Sequence, residues 1–69
     1  MRNIIDPTRL RAARVARGLS PEALGRIVGK SGAAIRDIET GATKTQHVAT
    51  IHALVAEMGE RILEEPDHA

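Results

Sequence analysis

Residues 20–41 have the sequence SPEALGRIVGKSGAAIRDIETG. This segment is the most informative about the fold, because its pattern predicts two short helices joined by a tight turn. Apolar residues recur on both sides of the turn at the spacing that places side chains on one face of a helix. They are Leu24, Ile27 and Val28 before the turn, and Ala34, Ile35 and Ile38 after it. We therefore expect one helix over about residues 21–28 and a second over about residues 32–39.

The turn between these two helices contains Gly29 and Ser31. Gly29 can adopt the left-handed conformation that ends a helix without a Cβ clash. The Ser31 hydroxyl can accept a hydrogen bond from the backbone of the next helix and so begin it. Two helices joined by a short glycine-containing turn form a helix-turn-helix unit, in which the second helix can enter the major groove of DNA.

Three further helices are predicted around this unit. Asp6-Pro7 predicts the start of a helix over about residues 7–17, because Asp is a favoured N-cap and Pro a favoured first helical residue. An apolar series predicts another helix from residue 45 or 46 to about residue 58. That series is Val48, Ile51, Leu54, Val55 and Met58. A last turn or two is expected over about residues 60–65, before Pro66.

These boundaries predict an all-α, compact five-helix domain over residues 6–65, with an N-terminal arm over residues 1–5 and a C-terminal tail over residues 66–69. No alternation typical of a β-strand persists for more than a few residues. The 69-residue chain has no cysteine and no aromatic residue, so its core must be aliphatic. Small cores of this kind often gain stability from a partner chain. With no membrane-length apolar run and no signal peptide, we expect a cytoplasmic protein.

The net charge of +1 is divided unevenly along the chain. Residues 1–50 carry nine basic and four acidic side chains, a net charge of +5, whereas residues 51–69 carry one basic and five acidic, a net charge of −4. A basic body with an acidic end favours a polyanionic partner for the body, although an ordinary solvated surface would also accommodate these charges.

The segment from Leu10 to Met58 resembles the Xre family, the Cro and repressor type of helix-turn-helix domain found in lambdoid phages. The matching positions are Leu10, Arg14, Gly18, Leu19, Ser20, Glu22, Leu24, Gly25, Gly29, Ser31, Ile35, Ile38, Glu39 and Gly41. The resemblance implies a λ-repressor-like fold of five short helices. It also implies a homodimer that binds two half-sites about one helical turn apart.

The resemblance also implies roles for individual residues. The residues expected to face DNA bases are Gly32, Ala33, Arg36 and Asp37. Those expected at the phosphates are Ser20, Pro21, Lys30, Ser31, Ala34, Thr40, Ala42, Thr43 and Lys44. A structural ion pair between the first and third helices is expected from Arg14 and Glu39.

The side-chain chemistry of the third helix supports part of this assignment. Arg36 could donate to O6 and N7 of guanine, Asp37 could accept from a cytosine amino group, and Ala33 could contact a thymine methyl. The chain departs from the family at Pro21, where Gln is usual, and at residues 32–34, where only glycine and alanine begin the helix. DNA shape and backbone contacts are therefore expected to carry more of the specificity.

The function predicted from these observations is that of a sequence-specific transcription regulator of the Cro, repressor or antitoxin kind. Two copies would place their third helices in successive major grooves of double-stranded operator DNA. The apolar residues assigned to the homodimer surface are Met58, Ile62 and Leu63. The protein would work in the bacterial cytoplasm at the nucleoid, or in the host cytoplasm if a phage encodes it.

Two alternatives remain open from the sequence. Gly29-Lys30-Ser31-Gly32 matches the GxxG loop with which KH domains clamp single-stranded nucleic acid, but a KH domain requires strands before and after this segment. Alternatively, the bare third helix could bind a protein, such as a toxin or another regulator.

Catalytic and metal-binding motifs are missing from the sequence. It contains no nucleophile elbow and no phosphate-binding loop, so an enzyme is not expected, and no cofactor is implied. His47 and His52 are five residues apart, one more than the spacing that places two metal ligands on one helical face. No metal site is predicted.

Overall fold

Four α-helices and one 3₁₀ turn make up the structure, a computed structural model that describes residues 4–43 and 46–64. The α-helices are α1 (Pro7–Ala16), α2 (Pro21–Val28), α3 (Gly32–Thr40) and α4 (Val48–Met58), and the 3₁₀ turn is Glu60–Ile62. Within the described residues no β-strand forms, and the only extended pairing is an isolated antiparallel bridge between Ile5 and Leu63. The prediction of an all-α domain is confirmed.

The first three helices begin and end at the signals present in the sequence. Asp6, Ser20 and Ser31 are the N-caps of α1, α2 and α3, and each side chain accepts a hydrogen bond of 3.0 Å from the backbone N–H three residues on. Gly29 and Gly41 end α2 and α3 in the left-handed conformation, with φ of 74° and 79°. Local capping chemistry therefore sets the length of both helices in the helix-turn-helix unit.

The core is built from aliphatic side chains that all four helices contribute. Its buried members are Ile5, Leu10, Ala13, Leu24, Ile35, Ile38, Ile51, Leu54, Met58 and Ile62. Leu19, Val28, Val55 and Leu63 are half-buried and pack against this cluster. Leu24 and Val28 of α2 and Ile35 and Ile38 of α3 thus meet in one core, and the outer face of α3 is left in solvent. Ile27, predicted on the same apolar face of α2, is instead exposed.

Ile5 is fully buried, and hydrogen bonds hold its backbone in place. The Gln46 side chain accepts from the backbone N–H of Ile5 at 2.7 Å and donates to its carbonyl oxygen at 3.2 Å. Next to it, the backbone N–H of Glu64 donates to the carbonyl oxygen of Ile4 at 2.8 Å. The prediction of an N-terminal arm is therefore wrong for Ile4 and Ile5, because an apolar side chain at residue 5 completes the core.

Two predicted boundaries at the C-terminal side also differ from the structure. The fifth helix is a single 3₁₀ turn, since Leu63 leaves it in an extended conformation and pairs with Ile5. The fourth helix begins at Val48, two or three residues later than predicted. The predicted tail over residues 66–69 lies outside the described residues.

The residues predicted to form a dimer surface lie mostly inside the monomer. Met58 is 4% exposed and Ile62 is fully buried, while Leu63 is half-buried against the core. Met58 and Ile62 are therefore not an exposed dimer surface, because they are buried in the same core cluster as Ile5. Met58 and Ile62 could reach a second copy only if this part of the fold opened.

Candidate nucleic-acid interface

The turn between α2 and α3 is closed by a very near approach of two backbone segments. The backbone N–H of Lys30 donates to the carbonyl oxygen of Gly25 at 2.6 Å. A Cβ atom at Gly25 would lie 2.5 Å from the carbonyl oxygen of Lys30 and 3.0 Å from that of Ser31. Because only glycine leaves room for this approach, Gly25 and Gly29 together fix the direction in which α3 leaves α2.

A buried ion pair ties α1 to the end of α3. Arg14 donates through Nε to Glu39 Oε2 at 2.6 Å and through Nη2 to Oε1 at 2.9 Å. Its Nη1 donates to the carbonyl oxygen of Leu19 at 2.7 Å. The two side chains are only 11% and 6% exposed. The ion pair expected between Arg14 and Glu39 is thus present, and it also holds the loop before α2.

The Glu39 carboxylate also affects the ionisation of Arg14. The hydrogen bond to Glu39 raises the pKa of Arg14 above its ordinary value, against the opposing effect of burial. Arg14 therefore stays charged in the folded protein.

The outer face of α3 is exposed and carries few side chains. Of the residues predicted to face bases, Ala33, Arg36 and Asp37 are exposed, whereas Gly32 is half-buried. Ala34 is half-buried as well, which leaves Arg36 as the longest exposed side chain on this helix. The face combines one guanidinium with one carboxylate, donors and acceptors that suit base edges.

The residues predicted at phosphates surround this face at the helix ends. Ser20, Lys30, Ser31, Thr40 and Ala42 are exposed, and Pro21 and Thr43 are half-buried. Lys44 lies outside the described residues. The Ser20 and Ser31 side chains are occupied as caps. In the first turn of α2, Pro21 has no N–H, and those of Glu22 and Ala23 are already hydrogen-bonded. The first turn of α3 therefore provides the N–H groups available to an anion.

The loop after α3 folds back onto the helix. Thr43 N–H donates to the carbonyl oxygen of Asp37 at 3.2 Å, and the Thr40 hydroxyl donates to the same oxygen at 3.3 Å. Gly41 provides the left-handed residue that this reversal requires. Residues 40–43 are therefore held beside the C-terminal end of α3.

Arg36 has a partner that sequence reasoning missed. Its Nη2 donates to Oε2 of Glu22, which lies in the first turn of α2. The side chains are 54% and 48% exposed, so the pair lies at the surface. The sequence separates the two residues by fourteen positions, and nothing in helical spacing predicts that they meet.

The Glu22 carboxyl is stabilised in its charged form. A hydrogen bond from its own backbone N–H is the main reason that the pKa of Glu22 lies below its ordinary value. Desolvation opposes this effect, and the hydrogen bond and charge of Arg36 add to it. Glu22 is therefore an anion at neutral pH beside the main cation of α3.

A family model described as a helix-turn-helix domain matches residues 8–59. The chain belongs to the helix-turn-helix domain family. Domains of this kind bind DNA and are typically non-enzymatic, and their second helix is the one that can enter the major groove. Comparison with curated proteins finds no match, and comparison with solved structures finds none either.

The helical architecture of this helix-turn-helix domain contradicts the KH interpretation. The KH fold requires strands on both sides of the GxxG loop. Here the loop Gly29-Lys30-Ser31-Gly32 is the turn from α2 to α3, and the segments before and after this unit are α1 and α4. The prediction of a KH-type single-stranded nucleic-acid binder is therefore wrong.

In residues 4–43 and 46–64, no group of three or more His, Asp or Glu side chains could hold a metal ion. His47 and His52 are both exposed. None of the helices in this part of the chain is long and apolar enough to cross a membrane.

Proposed function

We propose that the domain is a sequence-specific transcription regulator of the Xre type that places α3 in the major groove of operator DNA. The observation that carries this proposal is the exposed outer face of α3, on which Arg36 projects from a helix fixed by a buried ion pair. An arginine that donates to O6 and N7 of guanine contributes about 1–3 kcal/mol of discrimination between bases. Arg36 is thus the principal base contact, with Ala33 and Asp37 beside it.

Phosphate contacts would position the domain on the duplex. The first turn of α3 offers backbone N–H groups, and exposed Lys30 lies in the turn between α2 and α3. Thr40, Ala42 and Thr43 offer a second set of contacts at the other end of α3, where Lys44 follows in sequence. The net charge of +5 in residues 1–50 supports attraction to DNA.

The proposed regulator binds as a homodimer to a two-fold operator, as the resemblance to Cro and repressor domains implies. Its dimer contact must use residues other than Met58 and Ile62, which are buried in the monomer. The large apolar side chains that are exposed include Val15, Ile27 and Val48, on α1, α2 and α4 respectively. Such a dimer would require half-sites about 10 bp apart.

The test is a selection of random duplex DNA on the purified protein at physiological salt, followed by sequencing of the retained DNA. The proposal predicts an enriched motif with two half-sites that each contain a guanine. Arg36→Ala should lose preference at that guanine. Arg61→Ala removes the same charge from the exposed 3₁₀ turn and should select the wild-type motif.

Two outcomes would contradict the proposal. Retention of all duplexes with equal frequency would show that the domain does not distinguish sequences by itself. Retention of none, together with capture of a protein partner whose binding is insensitive to salt, would favour an interaction module, since DNA binding through several phosphates weakens steeply as salt rises.

A further inference from the structure

The Glu22 side chain occupies the space at the start of α3 that a side chain of residue 32 would take. A Cβ atom at Gly32 would lie 2.7 Å from both Cγ and Oε2 of Glu22, and 2.8 Å from its Cδ. Gly32 is the first residue of α3, and Arg36 follows one turn later on the same face. A carboxylate supplied by α2 thus lies beside the first turn of α3, which has no acidic residue of its own.

The same carboxylate holds the Arg36 guanidinium without exhausting its donors. Glu22 Oε2 accepts from Nη2, and a guanidinium has five N–H donors in a planar fork. Guanine requires two of these donors, for O6 and N7. Arg36 can therefore contact guanine and Glu22 together, and a side chain already held in place loses less rotamer freedom on binding.

The charge of Glu22 has a second consequence at this position. A carboxylate near the DNA surface repels phosphates, and this repulsion acts on every sequence. DNA with a guanine opposite Arg36 compensates for this repulsion, because the guanine accepts hydrogen bonds from Arg36 while Arg36 keeps its contact with Glu22. Discrimination by an unfavourable group of this kind lowers affinity for the wrong partner more than for the right one.

We propose that Glu22 is a specificity-determining residue, which positions Arg36 for guanine and weakens binding to DNA that offers only phosphates. This inference rests on the proposed function, and it assigns to α2 a role in base discrimination. It also accounts for the glycine at residue 32, since a larger side chain there would displace Glu22.

The experiment measures dissociation constants for two duplexes, the one selected by the wild-type protein and one in which the guanine assigned to Arg36 is replaced. The proteins are wild type, Glu22→Ala, Glu22→Gln, Arg36→Ala and the double variant Glu22→Ala with Arg36→Ala. The control is Glu57→Gln, which also removes one negative charge from an arginine–glutamate pair. In that pair, Arg17 at the C-cap of α1 lies 2.9 Å, N to O, from Glu57 of α4. Far-UV circular dichroism establishes that each variant is folded.

The expected result concerns the ratio of the two affinities. Glu22→Ala should lower this ratio about 3- to 10-fold, a part of the discrimination that one arginine–guanine contact supplies. It should do so mainly by binding the altered duplex more tightly. Glu22→Gln keeps an acceptor oxygen and should retain more of the ratio than Glu22→Ala. Arg36→Ala and the double variant should have the same ratio, because Glu22 acts through Arg36.

Each contrary outcome has a distinct meaning. A wild-type ratio in Glu22→Ala, or effects of Glu22→Ala and Arg36→Ala that add, would overturn the role of Glu22 while leaving the proposed function intact. An equal effect of Glu57→Gln would also overturn it, because any lost negative charge would then suffice. If the wild-type protein selects no sequence, the proposed function and this inference both fail.

Discussion

Two arginine–glutamate pairs hold α3, and they differ in burial far more than in chemistry. Arg14 and Glu39 are 11% and 6% exposed and share two hydrogen bonds, whereas Arg36 and Glu22 are 54% and 48% exposed and share one. A largely buried charge has little solvent to replace its partner, while an exposed charge can exchange its partner for water or a ligand. The first pair therefore belongs to the fold, and the second is the one that we propose is available to DNA.

Removal of the carboxylate from the buried pair should have the largest effect. Glu39→Ala leaves the Arg14 guanidinium almost buried with only the Leu19 carbonyl as partner, and loss of one member of such a pair costs about 3–5 kcal/mol. Urea denaturation monitored by circular dichroism measures this change. A loss of unfolding free energy below about 1 kcal/mol is typical of exposed ion pairs, and it would contradict the distinction between the two pairs.

The exposed pair should contribute little to stability. We expect a double-mutant cycle with Glu22→Ala and Arg36→Ala to give a coupling free energy of at most about 1 kcal/mol, and less at high salt. The same urea denaturation provides the measurement. A coupling as large as that of the buried pair would show that Glu22 and Arg36 hold the fold, and the distinction between the two pairs would fail.

The smallest effect concerns pH and the Glu22 carboxyl. Because its pKa is lower in the folded protein than in the unfolded chain, its contribution to stability is present above about pH 4.3 and is lost as pH falls through the folded pKa. The difference in melting temperature between wild type and Glu22→Gln should therefore shrink as pH is lowered from 6 to 2. A difference that instead grows over this range would contradict the assigned direction.

The two pairs also show how far sequence reasoning reaches in this protein. The caps and glycine turns predicted α1, α2 and α3 because they act between residues a few positions apart. Resemblance to the Xre family supplied the Arg14–Glu39 pair, which no local pattern indicates. The Glu22–Arg36 pair could not be predicted, because it depends on how α2 and α3 pack.

The N-terminal segment was missed for a similar reason. Ile4 and Ile5 are too short a run to show periodicity, and the Gln46 side chain that bonds the Ile5 backbone is 41 residues away. The predicted dimer surface was affected by the same core, since Met58 and Ile62 are buried in the cluster that contains Ile5. Contacts between distant residues decided both points.

The most direct test of the central claim, that the exposed face of α2 and α3 binds DNA, is a map of amide chemical shifts. ¹⁵N-labelled protein is titrated with the selected duplex and with an unrelated duplex of equal length. With the selected duplex, we expect the largest changes at the first turn of α2, at residues 30–37 and at the Arg36 Nε–H. Changes confined to α4 and the 3₁₀ turn, with residues 30–37 unaffected, would contradict the account.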